Sequence, residues 1–289
     1  YSNRFALGAT MAGGTLGIVI PPSIPLIVYG LVTETSIVDL FLAGVGPGVL
    51  LLVLMSAWSM WANRHVPMQK FDFAEVGRAL RAGIWAILMP VILLGGIYSG
   101  YFSATESAAV ALLYALVIEI CVHREMKPSG FYRVVIDAAK LGGALFPLLA
   151  VALSLNLVLT EHRVPEMMVD MMKQWFGSPL TFMLAVNLLL LVVGCVMTTN
   201  EAILILAPLL APAAKAFGVD EVMFGIVMIV NLEIGLMTPP VGLNLLVAMS
   251  AFKQSFSEVV MAALPFIALM LLALALIAWQ PWISMGLVR

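Results

Sequence analysis

Long, uninterrupted apolar runs alternate with short polar stretches along this chain. The runs cover roughly residues 5–31, 40–61, 84–100, 105–121, 141–159, 180–197, 202–217, 223–249 and 257–279. A helix needs about 20 apolar residues to cross a bilayer, so each run predicts a crossing or part of one. Residues 84–121 would make a single helix about 57 Å long, which is too long for one crossing. Ser99, Gly100, Ser103, Thr105 and Glu106 fall in the middle of that stretch and predict two crossings joined by a tight turn. Transmembrane strands would instead alternate apolar and polar residues over about 10 positions, and the runs at 180–196 and 259–279 do not. The pattern predicts an all-α polytopic membrane protein.

Composition agrees. Of the 289 residues, 63% are hydrophobic and 10% charged, with a mean hydropathy of +1.09. That excludes a water-soluble globule and a disordered chain. A net charge of −2 gives no long-range pull on nucleic acid. Cys121 and Cys195 are too few for a disulfide framework, and His65, His123 and His162 form no pair at metal-binding helical spacing. No His-Glu-x-x-His or Gly-x-Ser-x-Gly run is present, so the sequence predicts no enzyme. The chain opens on Tyr1 without a signal-peptide pattern, and a missing amino-terminal part is the expectation.

Basic residues set sidedness. Residues 62–83 carry Arg64, Lys70, Arg78 and Arg81, and residues 122–140 carry Arg124, Lys127, Arg133 and Lys140. Two crossings separate these stretches, so they share one side, expected to be cytoplasmic. The opposite connections, 33–39 and 100–104, hold no Lys or Arg. Phe73, Val76 and Leu80 in the first basic stretch, and Phe131, Val134 and Val135 in the second, recur at helical spacing. Helices lying on the membrane surface would explain them; ordinary solvated loops are the alternative.

The run Gly17-Ile-Val-Ile-Pro21-Pro22 recurs as Gly235-Leu-Met-Thr-Pro239-Pro240, an offset of 218, and Pro47 matches Pro265 at the same offset. Consecutive prolines remove two backbone donors and clash with the preceding turn, so each helix must break there. By crossing count, the two copies have opposite orientation if residues 180–217 enter and leave by one face. Inverted repeats with discontinuous helices are a signature of secondary transporters, in which half-helix ends offer carbonyls to cations and amide dipoles to anions. A simple packing kink is the alternative.

Residues 180–217 have their own interruption, Thr198, Thr199, Asn200 and Glu201, between two short apolar arms. A re-entrant hairpin with these residues at its tip would place them in a protein-lined cavity. Their hydroxyl, amide and carboxylate oxygens suit a hard cation such as sodium. An ordinary loop between two short crossings is the alternative. Glu233 lies inside a crossing and is read either as a coupling group or as a structural hydrogen bond. Around Thr105, Glu106 and Ser107 a helix cap is expected, and at Gly95 and Gly96 close helix packing. The 19 Met are read as filler.

Residues 14–23, Tyr29 to Ser36, Gly95 to Gly100 with Thr105 and Glu106, and Asn231 to Asn244 together resemble the large membrane subunit of TRAP (tripartite ATP-independent periplasmic) transporters, the DctM-like permeases. The likeness covers essentially the whole chain. It implies sodium-driven import of organic acids such as C4-dicarboxylates or sialic acid across a bacterial inner membrane. A periplasmic substrate-binding protein, a small membrane subunit and an elevator movement of the hairpins are implied with it. Family members are longer, with an earlier hairpin, and often have an Asp near the position of Thr198.

The resulting expectation is a permease with four parts: residues 1–61 as the end of repeat 1, 62–83 as a cytoplasmic surface helix, 84–179 as a helical hairpin, second surface helix and connecting helix, and 180–289 as repeat 2. Sodium would bind between Thr198, Thr199, Asn200 and Glu201 and the break at Thr238 and Pro239, with Asn244 nearby. Gly17 and Ser23 would line a pseudo-symmetric second cation site. The substrate carboxylate would lie between the breaks, near Pro21, Pro22, Pro240 and Gly242, and no cofactor is expected. A non-transporting scaffold subunit of a larger complex is the alternative.

Overall fold

A computed structural model describes residues 1–67 and 72–288. Lys70, one of the four basic residues expected to mark the first cytoplasmic stretch, lies outside them. The described residues are helical and contain no β-strand. They form two compact units, Tyr1–Val66 with Ala152–Arg289, and Pro67–Val151. Six helices or helix pairs among them are long and apolar enough to cross a membrane, or seven with one pair bent by 115°.

The first unit is built on the repeat. α1 (Asn3–Val19) stops at the first diproline and α2 (Ile24–Thr33) resumes after it, followed by α3 (Ile37–Ala62). In the second copy α10 (Glu221–Leu236) stops before the second diproline, α11 (Leu243–Phe252) resumes, and α12 (Phe256–Trp279) follows. Both Pro-Pro bonds are cis. The matching extends to the caps. α2 ends at Glu34 and α11 at Lys253, each in the left-handed region. Ser36 and Ser255 then cap α3 and α12 by accepting from the amides of Asp39 and Glu258. Pro47 and Pro265 both lie inside the helices that follow.

The two broken helices run antiparallel. Late in α2, Tyr29 Oη donates to the carbonyl of Glu221 at the start of α10 (2.8 Å), and its ring lies against Gly225. At the other extreme, Arg4 in the first turn of α1 donates to the carbonyl of Met261 early in α12 (3.1 Å). The start of one copy therefore meets the end of the other. α10 is the centre of this unit, with every residue from Val222 to Leu236 buried. α8 (Pro179–Gly194) and α9 (Thr199–Ala216) pack against it. Large apolar side chains such as Leu52, Val53, Leu180, Leu184 and Leu188 point outward, as a hydrocarbon solvent permits. α7 (Val164–Trp175) packs on α9, and α13 (Trp282–Met285) on α3.

The second unit contains α4 (Phe73–Tyr98), α5 (Ala104–Val117), which continues into a π-helical turn at Ile118–Val122, and the first part of α6 (Pro128–Glu161). α4 and α5 form the expected hairpin: Tyr114 Oη, late in α5, donates to the carbonyl of Trp85, midway along α4 (2.8 Å). The expected cap is a capping box in which Ser103 accepts from the Glu106 amide while the Glu106 carboxylate accepts from the Ser103 amide. Of the two glycines, Gly96 makes the close approach, against Phe102 and Ser107, while Gly95 faces open space.

Two expected boundaries fall inside helices. α4 runs unbroken through residue 84 and α6 through residue 140, so residues 73–83 and 129–140 are not separate helices. Neither junction carries a proline or a helix-capping residue, and the nearby glycines (Gly83, Gly142 and Gly143) each cost a helix only about 1 kcal/mol.

Candidate functional site

The site is assembled around the connection between α8 and α9. Phe182, near the start of α8, stacks on Phe217 just past the end of α9 (4.4 Å, 10°), and Phe176 meets Phe182 edge-on. The outer ends of the two arms therefore lie together, and α8 and α9 form an antiparallel helical hairpin. At its inner end Cys195 and Met197 donate to the carbonyls of Leu191 and Val193, which turns the chain over in four residues.

The polar tetrad lies one step beyond the expected position. Val196 and Met197 form the turn itself. Thr198 is the N-cap of α9, and Thr199, Asn200 and Glu201 make its first turn. Thr-x-x-Glu is a capping-box pattern, which is why a helix starts there. Yet the Thr198 side chain makes no capping bond. Thr199 Oγ1 instead donates to Glu233 Oε1 on α10 (2.7 Å), and Asn200 Oδ1 and Glu201 Oε2 are buried without a hydrogen-bond partner. Orphaned buried oxygens are uncommon in proteins. Here the residues with the pattern to satisfy the helix end leave their oxygens uncommitted.

The hairpin end docks on the second helix break. A Cβ on Gly235 would lie 2.5 Å from the Gly194 Cα, and one on Gly194 2.8 Å from the Leu232 carbonyl oxygen. Backbone thus meets backbone where α8 ends and α10 is about to stop. Across the break, the Gly242 amide donates to the Cys195 carbonyl (2.9 Å). Gly242 sits at φ +53°, and a Cβ there would press on Leu245 and the Thr238 carbonyl. Thr238 Oγ1 donates to the Ile234 carbonyl (2.7 Å), which leaves its lone pairs free. Asn244 Nδ2 donates to Thr15 Oγ1 on α1 (3.2 Å). The hairpin end at Gly194 and Cys195 and the second break from Gly235 to Gly242 therefore belong to one neighbourhood, with Thr199 tied to Glu233 of α10 and Asn244 to Thr15 of α1.

The first break is packed differently. Pro21 is buried against Gly44 of α3, and Ile20, itself exposed, lies against Gly48. Gly17 is exposed, with open space where a side chain would be, and Pro22 is exposed. Ser23 caps α2 without a side-chain capping bond, and its buried Oγ has no partner. Thr15, two residues before Gly17, ties this half of the repeat to Asn244.

Sequence reasoning missed Thr15, Asn187 and Asn231. Asn231 Nδ2 donates to Asn187 Oδ1 (2.6 Å) and to the Asn187 carbonyl (2.9 Å). The available signal was simply an amide within an apolar helix, where a polar group needs a partner.

The family model for the DctM component of the tripartite ATP-independent periplasmic transporters matches residues 1–283. The chain is 40% identical to the C4-dicarboxylate TRAP transporter large permease protein of Vibrio cholerae, covering 98% of this chain and 68% of the relative. It is 40% identical to that of Pseudomonas aeruginosa, covering 99% and 68%. With the isethionate TRAP transporter permease protein of Oleidesulfovibrio alaskensis it shares 37% identity, over 99% of this chain and 46% of the relative. These are transporter permeases, not enzymes. With its antiparallel broken helices and membrane-length apolar segments, the chain belongs to the DctM family of TRAP transporter large permeases, as a multi-pass protein of the inner membrane.

Proposed function

We propose that this chain is the permease subunit of a sodium-coupled secondary transporter. It imports a small organic acid, of the C4-dicarboxylate or sialic-acid type, delivered by a periplasmic binding protein, and it works beside a small membrane subunit. One observation carries the reading: the hairpin end is docked on the second helix break through the Gly242 amide and the Cys195 carbonyl, and the first turn of α9 that follows it keeps two buried oxygens, on Asn200 and Glu201, without a partner.

Sodium is a hard cation that takes oxygen ligands. In this reading it is held by oxygens of Thr198, Thr199, Asn200 and Glu201 together with those of Thr238 and Pro239, with Asn244 nearby. The first break, with Gly17 and Ser23, forms the pseudo-symmetric second cation site. The half-helices α2 and α11 both start without a side-chain capping bond, so their amide dipoles are available to an anion. The substrate carboxylate lies against those ends, near Pro21, Pro22, Pro240 and Gly242. Sodium favours the hairpin arrangement that accepts substrate, and by linkage each ligand raises the affinity for the other. An elevator movement of hairpin and broken helices would then carry both across the membrane.

The test is uptake into proteoliposomes holding the intact transporter, with its binding protein, across a sodium gradient. Thr238→Ala and Asn244→Ala should raise the half-saturating sodium concentration roughly tenfold, as expected for one lost ligand or buried hydrogen bond, while membrane insertion stays normal. An unchanged sodium response in both variants would remove the assigned site. No sodium-dependent uptake in the parent, with either succinate or sialic acid offered, would favour the scaffold alternative.

A further inference from the structure

α10 carries a separate side-chain anchor for each arm of the hairpin. Asn231 donates to both oxygens of Asn187 on α8. Two residues on, Glu233 accepts from Thr199 on α9. A two-residue step turns an α-helix by about 200°, so the two side chains leave α10 on opposite sides, one toward each arm. Asn231 is 1% exposed and Glu233 0%. Burying an amide and a carboxyl in an apolar helix is costly. The bonds to Asn187 and Thr199 offset only part of that, since Asn231 Oδ1 and Glu233 Oε2 stay buried without a partner. A helix required only to pack would carry Leu or Val at both positions. Asn187 is itself oriented by a bond from its Nδ2 to the Met183 carbonyl (2.7 Å), so the grip on α8 is fixed at both ends.

We infer that Asn231 and Glu233 are paired positioning residues that set the spread of the hairpin arms and hold the hairpin end on the second break. Apolar packing is non-directional and alone lets α8 and α9 slip along α10. Hydrogen bonds of 2.6–2.9 Å are directional and admit one register. In that register Gly194 meets Gly235 and the Cys195 carbonyl reaches the Gly242 amide. The consequence for sodium rests on the proposed function; the consequence for the hairpin does not.

Cys195, 6% exposed at the hairpin end, is a built-in reporter. With Cys121→Ser it becomes the only thiol of residues 1–289, and its reaction with N-ethylmaleimide in the intact transporter in membranes is followed by mass spectrometry of the peptide that carries it. Asn231→Ala and Glu233→Ala should each raise the labelling rate roughly tenfold, the effect of losing a buried hydrogen bond on a local opening equilibrium. Glu233→Gln keeps an acceptor for Thr199 and should stay within about twofold of the parent. Thr199→Val removes the same bond without changing shape, should follow Glu233→Ala, and serves in its place if that variant fails to accumulate. The half-saturating sodium concentration should rise in Asn231→Ala and Glu233→Ala when they label faster; Thr199→Val removes a proposed sodium oxygen and is therefore read by labelling alone. Unchanged labelling in folded Asn231→Ala and Thr199→Val overturns the inference. Faster labelling with an unchanged sodium response supports the anchors and counts against the cation site instead.

Discussion

Replacing Gly235 with valine should cut the proposed sodium-driven uptake more than about tenfold while the protein still reaches the membrane. The new side chain would begin 2.5 Å from the Gly194 Cα and 3.0 Å from the Cys195 amide nitrogen. Those are backbone atoms at the end of α8, so no rotamer change relieves the clash. Forcing atoms into a packed interior costs about 1–3 kcal/mol, occasionally more. The cheapest relief is to lift the hairpin end off α10, which breaks the bond between the Gly242 amide and the Cys195 carbonyl. Uptake at saturating sodium should fall to less than roughly a tenth of the parent, in line with a cost of that size. Gly13→Ala is the control, because nothing lies within 4 Å of a Cβ at that position of α1. Uptake by Gly235→Val close to that of the control would mean that the docked hairpin is not needed for transport.

The second large effect is expected at the seam between the repeats, and it concerns folding. A Cβ on Gly8 of α1 would run into the carbonyl oxygen of Ala262 on α12 and lie 2.8 Å from the Phe266 ring. Phe266 could swing aside, but the Ala262 carbonyl belongs to a helix backbone and could not. Gly8→Val should therefore push α1 from α12, at a cost near the upper end of about 1–3 kcal/mol. Steady-state amounts should drop several-fold, as such losses do in cells, and the thermal midpoint in detergent should fall by several degrees. A midpoint equal to that of Gly13→Ala would show that the contact between α1 and α12 bears little of the stability. The two glycines thus separate hairpin docking from assembly of the repeats.

What could be read from the sequence is what depends on local chemistry. Two diprolines cannot continue a helix, so both breaks were legible, and Pro47 with Pro265 extended the match into the following helices. Ser36 and Ser255, each three residues before an acid, also carry the pattern of a helix start, a signal the sequence reading did not use. The junctions at residues 84 and 140 were misread because a change from basic to apolar composition does not break a helix; only prolines, caps or glycine clusters do. The Thr198 tetrad was placed at the turn, whereas its capping pattern starts a helix at Thr198 and moves the turn to Val196 and Met197. Least legible were the partners. Thr15 with Asn244, and Asn187 with Asn231, are 229 and 44 residues apart, and nothing in a single sequence pairs one buried amide with another. The sequence therefore located the breaks and the polar residues, while the docking of one on the other emerged only in three dimensions.

The complete enclosure of α10 has a mechanical consequence. A rod surrounded over its whole circumference has no free side, so it cannot roll or glide without dragging its jacket of neighbours. Any displacement of α10 would therefore carry those neighbours with it and would have to be taken up at connections outside them.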